Sequence, residues 1–492
     1  MEERKVLIRR QGAMIRVIPD YHLILAPHLV YSRRKQTAGN EFKYEKTAMY
    51  KWSENTLFVP AGLTTRVINI LRSEGREVVL EDLRPKVLPD PDLTKLDPLR
   101  PIQDDLLVAV MSNDWGIIEG PTGFGKSFMI CQLCKIWSTA NIIIASPFTG
   151  LINQVYKELL EMFSIHEVGM MGGGRHRNRR ITCCVDRSLL HCDLEHCQLF
   201  IFDEVHRAAA PQTSEAIGKI MNARRFGFSA SPSGRSDNAD LETEGLFGPV
   251  IFKTTYQDVQ ATGHIVPIKV MMINTDGFTA VDYENPVVLE RRGLWRNIER
   301  NKLIAQTVKW ALAEFGQDSQ TLIAVKTLDH LVHLGAELNR EGLGFTLMYG
   351  SMEPERRQKY ENWGLIEQGK HPLTGQEKER IQEDFTSGKL RRVIATANSS
   401  GVWGTGMNFP HLEILVRADG QSGAILNTQI SGRVSRKPNS ATGDEKCEGI
   451  LIDFADTFSK ILQGRATRRM GLYRKKGWQI KQLSLPTVSV TI

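Results

Sequence analysis

The sequence has no apolar run that approaches about 18 residues, the length that an α-helix needs to cross a bilayer. Its N-terminal segment, MEERKVLIRRQGAMIRVIPD, also lacks the uninterrupted apolar core of a secretory signal. We therefore expect no membrane partner and a cytoplasmic location.

Cysteine is scarce: the 492 residues include only seven, an odd number that is scattered along the chain. A disulfide framework is not expected in a cytosolic chain of this size. Cys131 and Cys134 form a CxxC within an apolar segment, and we interpret them as small core residues. The cysteines and histidines from Cys183 to Cys197 match no standard zinc spacing. Internal repeats, extended low-complexity regions and nuclease motifs are absent from the sequence as well.

The composition is 41% hydrophobic and 24% charged, which is typical of a globular protein with two or three domains at this length. The net charge of +7 is compatible with nucleic-acid binding. Basic residues concentrate in two segments, Gly172–Arg180 and Arg465–Lys481, and the second contains Tyr473 and Trp478. We predict phosphate contact and base stacking there, with a solvated surface as the alternative for each segment.

Residues 1–90 are predicted to form a small α+β domain. Apolar and polar residues alternate around a turn at Gly12, and a strand and a helix that ends at Gly75 follow. A proline-rich segment comes next, so we expect this domain to fold and detach as a unit. Its basic residues suggest a DNA-recognition domain.

From about residue 98, short apolar runs alternate with helical stretches, a pattern typical of parallel sheets that are covered on both faces. The pattern restarts at Gln320. It predicts an α/β fold with two lobes, 98–262 and 300–460, and a basic C-terminal extension at 461–492. Residues 361–380 are expected to be a polar insertion in the second lobe.

GPTGFGKS follows the apolar run WGIIE and precedes an apolar helix, which is the context that a phosphate-binding loop requires. Its glycines let backbone N–H groups surround phosphate oxygens, and the helix N-terminus favours an anion. Lys126 is predicted to contact the β- and γ-phosphates of ATP, and Ser127 to ligate Mg²⁺. The predicted nucleotide-binding residues of this loop are Gly120, Pro121, Thr122, Gly123, Phe124, Gly125, Lys126 and Ser127.

DEVH follows the apolar run LFIF, so its carboxylates are expected at the carboxyl end of a buried strand, where α/β sheets bind ligands. Asp203 is predicted to hold Mg²⁺ and Glu204 to polarise the attacking water. Further along, QISGRVSR offers Arg433 and Arg436 one helical turn apart, and we predict that both act on the γ-phosphate as catalytic residues.

In this order the motifs resemble those of superfamily-two helicases, from about residue 98 to 460. LRPIQ, whose Gln103 the resemblance assigns to adenine, comes before the phosphate loop. SPFTGLINQ and the glycines that follow resemble motifs that contact the tracked strand. The resemblance assigns nucleic-acid contacts to Gly172, Gly173, Gly174 and Arg175. SASPSGRSDNAD resembles the motif that couples hydrolysis to movement, and ATANSSGVWGTGMNFP, which includes Gly406, the second-lobe motif that touches both ATP and strand.

Within the superfamily, the N-terminal segment TLFVPAGLTTRVINILRSEGREVVLEDLRP is similar to that of UvsW-type and, more distantly, RecG-like DNA-remodelling helicases. This resemblance implies two RecA-like lobes in tandem and a monomeric, ATP- and Mg²⁺-dependent DNA helicase of a bacterial or phage-infected cytoplasm. Such an enzyme unwinds or branch-migrates forked DNA in replication, recombination or repair. The sequence departs from the family in three places, with Asn408 where Asp is common, Cys184–Val185 where the family usually carries a Thr, and the insertion at 361–380.

Three other functions remain open at this stage. An RNA helicase would share the motor motifs, although DEVH differs from the DEAD sequence of that group. A non-hydrolysing DNA-binding protein with a motor fold would not need the complete set of Lys126, Asp203, Glu204 and Arg433. A small-molecule kinase with a phosphate loop would leave the second lobe and QISGRVSR without a role.

Overall fold

The structure is a computed structural model, and it divides into two compact units, Met1–Thr254 and Thr255–Ile492. It describes the following residues: 5–19, 21–36, 42–230, 237–275, 278, 283, 285–369, 372–396, 409–422, 431–436 and 446–484.

The first unit begins with a five-stranded sheet of strand order β5-β6-β2-β1-β7. Its strands are β1 (Lys5–Gln11), β2 (Met14–Ile18), β5 (Lys51–Ser53), β6 (Thr56–Pro60) and β7 (Glu77–Asp82). The alternating residues of β1 and β2 bury one face under α2 (Thr64–Ser73), and the short α1 (His22–Leu25) adds to the same core. This confirms the α+β character that alternation predicts for the N-terminal segment.

Two further strands form a separate antiparallel sheet, which we call the β3–β4 hairpin. It consists of β3 (Val30–Gln36) and β4 (Phe42–Ala48), paired from Val30↔Ala48 to Gln36↔Phe42. The sequence analysis did not predict this hairpin, because polar and charged residues occupy most of both strands.

The N-terminal sheet does not stand apart from the motor core of the same unit. Trp115, at the start of the first motor strand, lies in the N-terminal core. The guanidinium of Arg10 lies 4.7 Å from the Trp115 ring centroid, and that of Arg225 lies 4.0 Å from it. Arg66 forms two hydrogen bonds with the Glu244 carboxylate. The expectation of a detachable domain at 1–90 is therefore wrong, because its removal would expose core shared with the motor.

The proline-rich segment after β7 packs on the motor core as well. Trp137 Nε1 donates to Pro89 O at 3.1 Å, and Asp92 N donates to Ile136 O at 2.8 Å. Leu88 is buried. Prolines keep this segment out of regular structure, yet its backbone groups find partners on the neighbouring helix.

The motor core of the first unit is an eight-stranded sheet of order β11-β10-β12-β9-β13-β14-β8-β15, parallel except for β11. The apolar runs predicted as buried strands are β8, β9, β13 and β14, and almost all their residues are buried. The strands are β8 (Trp115–Glu119), β9 (Ile142–Ser146), β10 (Val168–Gly172), β11 (Arg175–Arg177), β12 (Ile181–Val185), β13 (Leu199–Asp203), β14 (Arg224–Ser229) and β15 (Val250–Lys253).

Helices cover the strands of this sheet and connect them. They are α3 (Pro101–Met111), α4 (Lys126–Ile136), α5 (Thr149–Met162), α6 (Pro211–Gly218) and α7 (Asp240–Phe247). Cys131 and Cys134 are fully buried in α4, which confirms their interpretation as core residues.

The second unit is built on a seven-stranded parallel sheet of order β18-β19-β17-β20-β21-β16-β22. Its strands are β16 (Ile268–Asn274), β17 (Thr321–Val325), β18 (Thr346–Met348), β19 (Arg392–Thr396), β20 (Ile414–Arg417), β21 (Gly449–Ala455) and β22 (Gln479–Leu483). Its helices are α8 (Tyr256–Ala261), α9 (Pro286–Leu289), α10 (Ile298–Phe315), α11 (Leu328–Arg340), α12 (Pro354–Asn362), α13 (Gly375–Thr386) and α14 (Lys460–Lys475). The predicted two parallel-sheet lobes are thus confirmed.

The boundaries of the second lobe differ from the predicted 300–460 at both ends. β16 begins at Ile268 and pairs with β21, so the sheet starts before residue 300. β22 pairs with β16 and completes the edge, so residues 461–484 are part of the lobe and not an extension. The predicted insertion at 361–380 includes the end of α12 and the start of α13, which begins with a capping box between Thr374 and Glu377.

A buried polar network fastens α14 to the sheet. Tyr473 donates its hydroxyl to Asp453 Oδ2 at 2.7 Å, and Arg469 Nε donates to the same oxygen at 2.8 Å. Arg417 forms a hydrogen bond with the Tyr473 hydroxyl and a bidentate pair with Asp419. Charges buried this deeply are stable only with partners, so the network fixes where α14 packs.

We expect Tyr473→Phe to lower the free energy of unfolding of the second unit by about 1.5–3 kcal/mol, because a buried hydrogen bond to a charged group is lost. Calorimetry, with hydrogen exchange of α14 amides to localise the effect, measures it. Tyr349→Phe, at a half-buried tyrosine of the same unit, is the control. Equal stability of the two variants would contradict a fastening role for the Tyr473 hydroxyl.

Candidate functional site

The phosphate loop joins β8 to α4, as the sequence predicts. Gly123 and Gly125 have φ values of 85° and 94°, a left-handed conformation that glycine adopts without steric cost. The loop starts with a hydrogen bond from Gly120 N to Ser229 O at 3.0 Å, which ties it to the end of β14. Lys126 is the first residue of α4 and Ser127 the second, so both lie at the N-terminus of that helix.

Phe124 and Gln103 support this loop from either side. Phe124 is buried and its ring stacks on Phe252, with centroids 5.7 Å apart. Gln103 is also buried, and its Nε2 donates to Phe124 O at 3.4 Å. The predicted adenine-contacting glutamine thus touches the loop backbone, next to where the sequence analysis expects the nucleotide.

Asp203 and Glu204 lie at the carboxyl end of β13, and both are buried. Glu204 has a φ of 62°, a left-handed conformation that is uncommon outside glycine. Burial and the neighbouring Glu204 raise the pKa of Asp203, and the Lys126 ammonium counteracts this rise. Two buried carboxylates next to a lysine form a site whose charge favours a cation.

His206 is a functional candidate that the sequence analysis missed. Its Nδ1 lies 3.3 Å from Glu204 Oε2 and 3.1 Å from Ser229 Oγ. Ser229 is the last residue of β14 and begins the motif predicted to couple hydrolysis to movement. The histidine of DEVH was the sequence signal for this role, because it lies two residues after Glu204.

Three glycines form the turn between β10 and β11. Gly172, Gly173 and Gly174 have φ values of 109°, 61° and 81°, and Gly172 pairs with Arg175 across the turn. Side chains rarely adopt such values, so glycine suits this turn. A Cβ at Gly173 would lie 3.8 Å from Thr149 Cγ2, so the turn lies beside the start of α5, where SPFTGLINQ falls.

Arg175 extends from this turn over the ring of Tyr156 on α5, with its guanidinium carbon 5.6 Å from the ring centroid. Arg175, His176 and Arg177 are exposed. The structure therefore brings together, on one side of the first unit, two motifs that the sequence analysis assigned to nucleic-acid contact. The contact itself stays a prediction.

Tyr473 and Trp478 contradict the predicted base-stacking role. They are 1% and 6% exposed, and their rings stack on each other with centroids 5.4 Å apart. Trp478 also packs edge-on against Tyr256. The prediction was wrong because aromatic residues among basic ones suggested a nucleic-acid surface, whereas these two form the core between α14 and the sheet.

Arg433 and Arg436 lie in the second unit, around a 3-10 helix at Gly432–Ser435. Burial, with the neighbouring Arg436, lowers the pKa of Arg433 to about 9, and burial lowers that of Arg436 to about 10. Lys446 donates to Arg436 O at 2.9 Å and Val266 N donates to Ser435 O at 2.8 Å, which fixes this backbone.

Several sequence-predicted positions fall outside the described residues, namely Gly406, Asn408 and Gln429. Of the cysteine-rich segment, Cys183, Cys184, Cys192 and Cys197 are buried. Across the residues that the structure covers, histidines, cysteines and carboxylates form no group of three that could hold a metal ion. In the same part of the chain, no helix combines the length and apolar character of a membrane span.

Parts of the chain are similar to known proteins. Residues 97–234 match the family model described as type III restriction enzyme, res subunit. The chain is 23% identical to the DNA 3'-5' translocase XPB2 of Sulfurisphaera tokodaii, over 82% of this chain and 90% of that protein. It is 24% identical to the ATP-dependent DNA helicase uvsW of Enterobacteria phage T4, over 69% of this chain and 66% of that protein.

Among solved structures, Saccharomyces cerevisiae Dbp5 bound to RNA and ADP BeF3 has a TM-score of 0.53 and 16% identity, over 80% of this chain and 92% of that chain. This likeness shows a shared fold. The motor motifs and the sequence similarity to the XPB2 translocase and the uvsW helicase support a superfamily-two DNA helicase like UvsW.

Proposed function

We propose that the protein is an ATP-dependent DNA helicase or translocase that unwinds or branch-migrates forked DNA. The observation that carries the proposal is the continuous connection in the first unit from the phosphate loop to the coupling motif. Gly120 bonds to the backbone of Ser229, and His206 bonds to the Ser229 hydroxyl and contacts Glu204. Residues that would sense hydrolysis are thereby bonded to the strand end where the coupling motif begins.

The residues of the site fit ATP with magnesium. The left-handed glycines and the N-terminus of α4 suit phosphate oxygens, and Lys126 adds positive charge. Ser127 and Asp203 would hold the metal, whose charge would favour the ionised form of the buried Asp203. Bound magnesium would neutralise charge on the phosphates, and Glu204 would orient and polarise the attacking water.

His206 would report the state of Glu204 to Ser229. His206 Nδ1 is within reach of both Glu204 and Ser229. A change in the charge or position of Glu204 would therefore change how His206 contacts Ser229. Arg433 and Arg436 are proposed as the further catalytic residues of the hydrolysis step. The energetic logic is that phosphoryl transfer needs positioning and charge stabilisation more than covalent chemistry.

DNA is the proposed polymer because two relatives in sequence are named as a DNA translocase and a DNA helicase. The tracked strand would contact the glycine turn, Arg175 and the adjacent start of α5. Recognition of a fork, and activity as a monomer in the cytoplasm, belong to the same proposal.

Lys126→Ala is expected to abolish ATP hydrolysis, because the γ-phosphate loses its positioned cation, while DNA binding persists. Phosphate release with and without forked DNA measures ATP hydrolysis, and fluorescence anisotropy of labelled DNA measures DNA binding. Lys135→Ala is the matched control, since Lys135 lies on the same helix and pairs with Asp97. Near-normal turnover in Lys126→Ala would contradict the phosphate-loop assignment.

Glu204→Gln is expected to bind ATP and magnesium but to hydrolyse ATP very slowly, so that a long-lived ATP-bound complex accumulates on DNA. The amide keeps the shape of the side chain and loses the charge that polarises water. Dissociation of labelled DNA in the presence of ATP measures the lifetime, with Glu215→Gln, at an exposed carboxylate on α6, as the control. A lifetime equal to that of the control would remove Glu204 from this role.

Arg433→Ala is expected to bind ATP and to lose catalysis, since an arginine that stabilises the transferred phosphoryl group is worth about 10³–10⁵ in rate. Nucleotide binding and single-turnover hydrolysis separate the two steps. Arg468→Ala, at an exposed residue of α14, is the control, and thermal unfolding reports whether the buried site still folds. A folded Arg433→Ala protein that hydrolyses ATP as fast as the control would exclude Arg433 from catalysis.

A further inference from the structure

The β3–β4 hairpin has one face on the motor core and one face in solvent. Because side chains alternate along a strand, Tyr31 and Arg33 of β3 share a face, and Arg34, Tyr44 and Lys46 lie on the opposite one. The first face docks on the core, as the contacts of Tyr31 and Arg33 show. The second carries Tyr44, which is 65% exposed, and the exposed Lys46.

Arg33 is the centre of the docked face. Its NH1 donates to Glu242 Oε2 at 3.0 Å and its NH2 donates to Ala209 O at 2.8 Å. A carboxylate oxygen of Asp237 lies 3.7 Å from NH2. Tyr31 donates its hydroxyl to the same Glu242 oxygen at 2.7 Å. One side chain thus contacts the segment after DEVH, the end of the coupling motif, and α7.

Backbone contacts reinforce this attachment. Arg34 N donates to Asp237 O at 3.1 Å, and Asn238 Nδ2 donates to Ser32 O at 3.2 Å. Asp237 and Asn238 follow Ser229 in the connection between β14 and α7, and Ala209 follows Glu204 and His206. The hairpin is therefore bonded to both chain segments that leave the hydrolysis site at the ends of β13 and β14.

The solvent-facing side of the hairpin has the chemistry of a nucleic-acid backbone contact. On this face Tyr44 and Lys46 of β4 are exposed, and Arg34 of β3 pairs with Tyr44 across the ladder. A two-stranded β-ribbon also fits the width of the major groove of duplex DNA, whereas single-stranded DNA has no major groove.

We infer that the β3–β4 hairpin binds the phosphate backbone of duplex DNA and that Arg33 transmits this binding to the hydrolysis site. The inference rests on the proposed function, because it assumes that DNA stimulates ATP hydrolysis. Tyr44 and Lys46 are the DNA-facing residues. Arg33 is a positioning residue that links the hairpin to the segment after DEVH and to the coupling motif.

Binding is tested with the full-length variant Lys46→Gln. The concentration of blunt duplex DNA that half-saturates ATPase stimulation is measured at several salt concentrations. Loss of one phosphate contact should raise this concentration and reduce the slope against log salt by about 1. Lys86→Gln, which removes the same charge from an exposed lysine of the same unit, should match the wild type.

Three results would overturn the binding surface. Equal salt slopes in the hairpin variant and the control variant would exclude it, and a shift seen equally with single-stranded DNA would assign the surface to single-stranded DNA. A hairpin variant with the wild-type half-saturating concentration would also exclude it. If DNA does not stimulate ATP hydrolysis by the wild-type protein, the proposed function itself is contradicted. That result differs from the three results above, which contradict only the binding surface.

Transmission is tested with Arg33→Gln. Maximal stimulation by duplex DNA, expressed as the ratio of rates with and without DNA, should fall by at least about fivefold, the lower end for coupled sites. The half-saturating DNA concentration should change little, because Lys46 remains. Arg66→Gln is the matched control, since Arg66 on α2 also forms an ion pair with α7, through Glu244, but from outside the hairpin.

A merely structural role for Arg33 predicts a different outcome. Loosened docking would lower thermal stability and affect Arg33→Gln and Arg66→Gln alike. Stimulation that falls equally in both variants, or that stays at the wild-type ratio in Arg33→Gln, would overturn the transmission. A lower ratio in Arg33→Gln alone, at unchanged thermal stability, supports it.

Discussion

Burial of two adjacent carboxylates at the end of β13 is the constraint on which the motor site depends. Removing Asp203 and Glu204 from water disfavours their charged forms, and each raises the cost of charging the other. The pKa of Asp203 is raised for these reasons, and Lys126 counteracts the rise. A cation beside these carboxylates lowers this cost, and for that reason the proposed magnesium ion would suit the end of β13.

The carboxyl edge of this sheet also brings the predicted site residues close together. Parallel strands place their carboxyl ends at one edge, so β8, β13 and β14 deliver the phosphate loop, the carboxylates and Ser229 to adjacent positions. Direct side-chain contacts can therefore join these residues. His206 reaches both Glu204 and Ser229 without any additional element.

Continuous apolar runs made the motor strands predictable, because a strand that is buried on both faces consists almost entirely of apolar residues. The phosphate loop and DEVH were predictable for the same reason, since each directly follows such a run. The β3–β4 hairpin was not, because its stability comes from contacts such as Arg33 with Glu242, residues far apart in sequence. Tyr473 and Trp478 misled for a related reason: the partner that buries Tyr473 is Asp453 on another element.

Buried arginines in the second unit differ in what surrounds them. Burial opposes the charge of Arg417 and Arg469, but Asp419 and Asp453 more than compensate and raise the pKa of both guanidinium groups. For Arg433 and Arg436, burial prevails and lowers the pKa. Arg417 and Arg469 thus act as structural partners of carboxylates within the second unit. The role of Arg433 and Arg436 at a phosphate remains part of the proposed function.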